Sequence, residues 1–241
     1  MKTRIFQLPL LTLFFCFIFS SCSELQQIAS TFPQGTITNT QIAEGLRQAL
    51  DFGIDKQVSK LAEENGFYQN QAVKILLPEQ LQKVDNTLRQ VGLSNLADEG
   101  LKVLNRAAES AVKEATPIFV DAVKQITFND AKNILLGSNN AATTYLQSKT
   151  TNALYSKFSP VIKSSLDKVG ATEIWATIIT KYNAIPLTSN VNPDLTDYVT
   201  QQALKGVFTM IAKEELDIRT DISARTTLLL QRVFALQDNK N

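Results

Sequence analysis

Residues 116–126 read Thr-Pro-Ile-Phe-Val-Asp-Ala-Val-Lys-Gln-Ile. Thr116-Pro117 is a cap-plus-proline start, because a proline in the first helical turn has no needed N–H to lose. Behind it Ile118, Phe119, Val120, Ala122, Val123 and Ile126 are apolar nearly all round a helix. A helix without a polar face needs neighbours on every side, so this stretch predicts a helix at the centre of a bundle. Asp121 and Lys124, spaced i,i+3, are its charged members.

The same period runs outward in both directions. Upstream, Ile42, Leu46, Leu50, Val58 and Leu61 fall on one face until Gly66. Pro78 opens a second run (Leu81, Val84, Leu88, Val91) that Gly92 ends. Ser94 caps a third, carrying Leu96, Leu101, Leu104, Ala108 and Val112, with Asp98 and Glu99 near its positive end. Downstream, Thr127-Phe128-Asn129-Asp130 is a capping box with Asp in place of Glu, closed by Gly137. Asn139 or Asn140 caps a long segment that Ser159-Pro160 breaks or kinks and Gly170 ends. Ile174, Trp175, Ile178, Ile179 and Tyr182 form a short helix, and residues 184–194 a loop. A long helix over Leu195–Arg219 and a last one over Ser223–Leu236 complete the chain. Only Ala72–Leu77 reads as extended. The expectation is an all-α domain of about eight or nine helices over residues 40–241.

The chain has 241 residues, 24 Lys and Arg against 23 Asp and Glu, no His and two Cys. The near-neutral balance disfavours a nucleic-acid partner. Absence of His removes the commonest general base and metal ligand, and two Cys cannot staple a disulfide scaffold.

Lys2 and Arg4 precede an apolar run from Ile5 to Phe19, then Ser20, Ser21 and Cys22. A charged start, a short apolar stretch and small residues at a cleavage point describe a secretory signal over residues 1–21. Phe19-Ser20-Ser21-Cys22 resembles a bacterial lipobox, with Phe where Leu is usual, which implies a diacylglyceryl group on Cys22. Two or more acyl chains anchor stably where one does not. The processed chain keeps 22 positive and 23 negative side chains and no free thiol. Ser23, where Asp would signal retention in the inner membrane, points by that resemblance to the periplasmic face of the outer membrane. Residues 22–39, with Pro33 and Gly35, read as a lipidated tether.

The motifs that could carry chemistry are few. Asn190, Asn192 and Asp194 have the spacing of a calcium loop, but Leu195 and Gln201 stand where Gly and Glu belong, so Asp194 reads as a helix cap. The pairs Glu63-Glu64, Asp98-Glu99 and Glu214-Glu215 point about 100° apart on a helix and read as solvated faces. Gly45, Gly53, Gly100 and Gly206 inside helical patterns read as close helix contacts. No nucleophile elbow, P-loop or dinucleotide fingerprint is present, and neither a catalytic residue, a metal site nor a cofactor is assigned. The remaining polar candidates are Asn105, Arg106 and Glu109, one turn apart; Asp121 and Lys124; and Arg219 and Arg225. They read either as a buried pocket in which Arg106, Asp121 and Arg225 contact a ligand, or as internal salt bridges and caps that fix helix register. The second is preferred.

Around these residues the sequence resembles a bacterial lipoprotein family known as the domain of unknown function 4197. The resemblance runs from Gly45 to Phe234 and rests on Asn105-Arg106-Ala107-Ala108-Glu109, Pro117-Ile118-Phe119, Asp130-Ala131 with Ile134-Leu135, and Ala141-Ala142-Thr143. It continues through Tyr198-Val199-Thr200, Phe208, Glu214-Glu215 with Ile218-Arg219, and Arg225-Thr226-Thr227. Leu76 stands where members often carry Pro, and Ser138-Asn139 where they carry Gly-Asp. The resemblance implies an envelope location and transfers no catalytic residue. The functional expectation is a non-enzymatic binding or scaffolding module, tied to the membrane by its N-terminal lipid and partnering envelope protein or lipid. The alternatives are a carrier of an apolar ligand between helices and, last, a metal-dependent envelope hydrolase.

Overall fold

Thr38 opens the first helix with a complete capping box: its hydroxyl accepts from the Gln41 amide, and the Gln41 side chain accepts from the Thr38 amide. The computed structural model describes residues 37–77, 94–184 and 194–238, with residues 82, 86, 89, 90, 92, 186 and 190 between them. Cys22, the signal-like segment, most of the expected tether and most of the run from Pro78 to Val91 lie outside the described residues.

Eight α-helices carry the described chain, which holds no strand. They are α1 (Asn39–Ala62), α2 (Ser94–Val112), α3 (Ala115–Lys124), α4 (Phe128–Leu135), α5 (Ala141–Asp167), α6 (Ala171–Asn183), α7 (Leu195–Thr220) and α8 (Leu228–Asp238). A 3₁₀ turn over Ile222–Ala224 joins the last two. The all-α expectation holds.

The centre belongs to α5 and α7. They run antiparallel: Glu215 near the end of α7 meets the amides of Ala142 and Thr143 at the start of α5, while Tyr155 of α5 donates to Asp197 at the start of α7. Leu146, Leu154, Phe158, Ile162 and Leu166 of α5 are fully buried at helical spacing. Val199, Ala203 and Val207 of α7, also fully buried, belong to the same core. Burial of each such large side chain stabilises by about 1.5–3 kcal/mol. Helix α1 crosses α7 and packs on α3, α4 and α8. Residues 37–241 form one compact unit with a single core.

Four local expectations are corrected. Helix α3 is not the central one: Phe119, Ala122 and Val123 are buried, but Pro117, Asp121, Lys124 and Gln125 face solvent. Ten residues make too short a helix to be wrapped, so its two charges define an open side. It also starts at Ala115, so Thr116-Pro117 lies inside its first turn. Helix α5 is not broken at Pro160, one of the two outcomes expected there, but continues through it with buried residues on both sides. The glycine expectation holds at Gly45 and Gly206, where an added Cβ would come within 2.6 Å of Val233 Cγ2 and of Phe67 Cε1, but fails at Gly100, which faces open space.

Candidate functional site

The polar candidates divide into two clusters and an outlier. In the first, α2 holds the connection over residues 63–77. Asn105 lies fully buried and treats Ile75 as a strand neighbour would: Oδ1 accepts from the Ile75 amide (2.8 Å) and Nδ2 donates to the Ile75 carbonyl (2.9 Å). Nδ2 also donates to the Leu101 carbonyl at 2.7 Å. Ala72–Leu77, which the sequence allowed to be extended, forms no strand: Ala72 and Val73 lie in a turn, and this pairing holds the non-helical run from Lys74 to Leu77. One turn on, Glu109 Oε1 accepts from the Phe67 and Tyr68 amides at 3.1 and 3.3 Å. Its other oxygen pairs with Arg106 at 2.8 Å. Arg106 reaches Glu64 (2.6 Å) and the side-chain oxygen of Asn65 (3.1 Å), a residue held at φ 70°. Asparagine tolerates that left-handed backbone better than most residues. The strap thus fixed buries Phe67 against Gly206, and the Tyr198 hydroxyl closes its far end on the Leu76 carbonyl at 2.6 Å.

The second cluster sits where α4, α5, α7 and α8 meet. Arg219 is almost wholly buried and spends its fork on helix ends. Its Nη2 donates to the Ile134 carbonyl (2.8 Å) and its Nη1 to the Leu135 carbonyl (3.0 Å), the last carbonyls of α4. Nε and Nη2 also donate to Glu215 Oε1 at 3.0 and 2.8 Å. Glu215 in turn accepts from the Ala142 and Thr143 amides and the Thr143 hydroxyl (2.7–2.9 Å). A cation therefore meets the negative end of α4 and a carboxylate the positive end of α5. Asn140, expected to cap α5, makes no side-chain cap; Glu215 does so from α7. Arg225 repeats the device, donating to the Ile218 and Arg219 carbonyls at the end of α7 and pairing with Asp238 of α8. That pairing holds the Asp238 carboxyl below its ordinary range, chiefly through the hydrogen bond from Arg225.

Asp121 and Lys124 join neither cluster. They lie 4.0 Å apart with side chains 73% and 72% exposed, on the open side of α3. The pocket reading that joined Arg106, Asp121 and Arg225 is therefore corrected: the described geometry satisfies Arg106 and Arg225 within separate clusters. Glu214 and Glu215 are corrected too, because both are buried rather than solvated. Glu214 accepts from Lys56 Nζ (2.7 Å) and Gln57 Nε2 (2.6 Å). The signal that could have revealed Glu215 was its i,i+4 spacing from Arg219. For Arg47, which donates to the Ile126 carbonyl after α3, it was a cation beside the apolar face of α1. Asp194 caps α7 as expected, accepting from the Asp197 amide at 3.0 Å.

A cleft with room of about 20 Å³ lies between α1, α7 and α8, walled by Leu50, Ile211, Glu214, Ile218 and Phe234. That is room for about one water molecule. Wider grooves open at the surface. One of about 450 Å³ lies between α1 and the segment joining α7 to α8, with Phe52, Lys56 and Glu214 in its wall. Another, of about 410 Å³, is polar and runs along the strap past Lys60 and Lys213. Among the described residues no group of three or more Asp, Glu, His or Cys could hold a metal ion, and no helix is long and apolar enough to cross a membrane.

Fold and clusters define an all-α protein whose buried charges hold helix ends and a connecting strap in place. Its sequence matches, over residues 36–235, the family described as "Protein of unknown function (DUF4197)". The chain belongs to that family, as its resemblance led one to expect. No curated protein and no solved structure matches it.

Proposed function

We propose that the chain is a lipoprotein anchored through Cys22 at the periplasmic face of the outer membrane, and that its helical body is a non-enzymatic binding or scaffolding module. The observation that supports the body's role is where its buried ions go. Glu109, Glu215, Arg219 and Arg225 are spent on backbone amides and carbonyls of the strap and of helix ends, where intrahelical partners run out. Groups committed in this way are not poised for proton transfer or nucleophilic attack, which need a reacting atom within reach. Such a body presents surfaces. The cleft among the buried side chains of α1, α7 and α8 is far below the several hundred Å³ of a small-molecule pocket, so it is too small to enclose an apolar ligand.

The anchor rests on the lipobox-like Phe19-Ser20-Ser21-Cys22 behind its charged and apolar leader. Its test is Cys22→Ser in the full chain, with radioactive palmitate labelling and membrane fractionation. Loss of label and release from the membrane are expected. Undiminished labelling would overturn the proposal.

A further inference from the structure

The groove between α1 and the α7–α8 connection combines features that the helix-capping network does not use. At about 450 Å³ it has the size of a small-molecule site. Phe52 presents a half-exposed ring there, and Ile218 and Leu230 supply an apolar floor. Ile222 and Leu228, in the segment that borders it, are also exposed, at 66% and 61%. One end is ionic. Glu214, buried to about nine-tenths, accepts from Lys56, whose side chain is 64% exposed. Gln57 fixes the same carboxylate, and its own buried carboxamide oxygen has no donor. Gly53 leaves space for this arrangement, since a Cβ there would stand 3.2 Å from Glu214 Cγ.

We propose that this groove binds a single-chain amphiphile whose head is an ammonium–phosphate zwitterion. One cation and one anion line the site, so a purely anionic head faces Glu214 and a purely cationic one faces Lys56, each at a repulsive cost. A zwitterion complements both, with its phosphate on Lys56 and its ammonium on Glu214. The tail stays in the open groove against Phe52, because the cleft behind Glu214 and Ile218 holds only about one water. The inference deepens the reading of the body as a binding module. It does not depend on the anchor.

The test titrates residues 23–241, which contain the whole compact unit, with lysophosphatidylethanolamine below its micelle concentration in a calorimeter. Uncharged dodecyl maltoside and anionic lysophosphatidylglycerol are the comparisons. Saturable one-to-one binding is expected, about tenfold tighter than either comparison. Phe52→Glu and Thr226→Trp, both at exposed positions lining the groove, are each expected to weaken it by about tenfold or more without moving the unfolding midpoint. Absence of saturable binding, equal affinity for all three amphiphiles, or affinity unchanged in both variants would overturn the proposal; the first is also what a groove built for a protein helix would give. The Cys22→Ser labelling result is independent of each of these outcomes, so the two readings fail separately.

Discussion

At the scale of single residues, this protein places its strongest ions where the backbone ends. Arg219 touches two carbonyls of α4 while pairing with Glu215. Removing it leaves a buried carboxylate facing only amides and a hydroxyl, and takes the guanidinium from the Leu135 carbonyl, while the Ile134 carbonyl keeps the Gly137 amide. Breaking a buried pair from one side costs about 3–5 kcal/mol. Arg219→Met is therefore expected to lower unfolding free energy by that amount in urea titrations, and Glu215→Gln with Arg219→Met to recover part of it. A loss below 1 kcal/mol, roughly the value of an exposed pair, would contradict this account. Asn105 offers a neutral counterpart. Asn105→Ala strands the amide and carbonyl of Ile75 in a buried place, at about 1–3 kcal/mol for an unsatisfied group. The loss should appear first as faster amide exchange at Ile75, because the strap is held there by the side chain rather than by a ladder.

At the scale of elements, glycine separates close contact from open helix. Gly206→Ala drives a methyl into the Phe67 ring under the strap and is expected to destabilise by about 1–3 kcal/mol. Gly100→Ala meets nothing within 4 Å in the interior of α2 and is expected to stabilise by about 1 kcal/mol. Thermal melts of the two variants should therefore move in opposite directions. The sequence alone treated these glycines alike, because a periodic pattern records that a helix is present and not which neighbour crosses it. The same limit explains α3. Its composition is that of a central helix, yet its partners cover only one side, and the charge pair Asp121 and Lys124 was the sign of the uncovered one. Local chemistry was more legible: the Thr127 capping box and the Asp194 cap form as their spacing requires. Capping of α5 by Glu215 was not legible, since its donor and acceptor are 73 residues apart.

At the scale of the whole molecule, the absence of histidine shapes the response to pH. The all-α body was readable because helical periods and caps recur from Ile42 to Phe234; the Thr38 cap inside the expected tether was not read, nor was the division of the polar residues into two clusters, which depends on which helices meet. Titration follows from both. Asp130, Asp167, Asp221 and Asp238 are each held below the ordinary carboxylate value by a hydrogen bond to a neighbouring side chain. A depressed carboxylate contributes stability that is present above its unfolded value and lost as pH falls through its folded one. Tyr145 and Tyr198 are raised by burial, and Tyr155 chiefly by its hydrogen bond to Asp197. Their contribution is full below the unfolded tyrosine value and lost as pH rises through the folded one. Asp51, raised by burial, acts in the opposite sense to the other four, with stability lost as pH rises through its folded value. No side chain of the chain from Ser23 onward has an ordinary pKa between pH 5 and 8, where histidine would titrate. Unfolding free energy of residues 23–241 should therefore be level from about pH 5 to 8, fall on the acid side below about pH 4, and fall again above about pH 10. Arg225→Gln releases Asp238, so the plateau should drop without tilting and the acid limb should become shallower by that residue's share, while a carboxyl NMR titration of Asp238 in both forms would show its value move up toward the ordinary one. A sloping plateau would mean that a group with a strongly displaced pKa lies in the body, and its titration would then be the place to look for an activity.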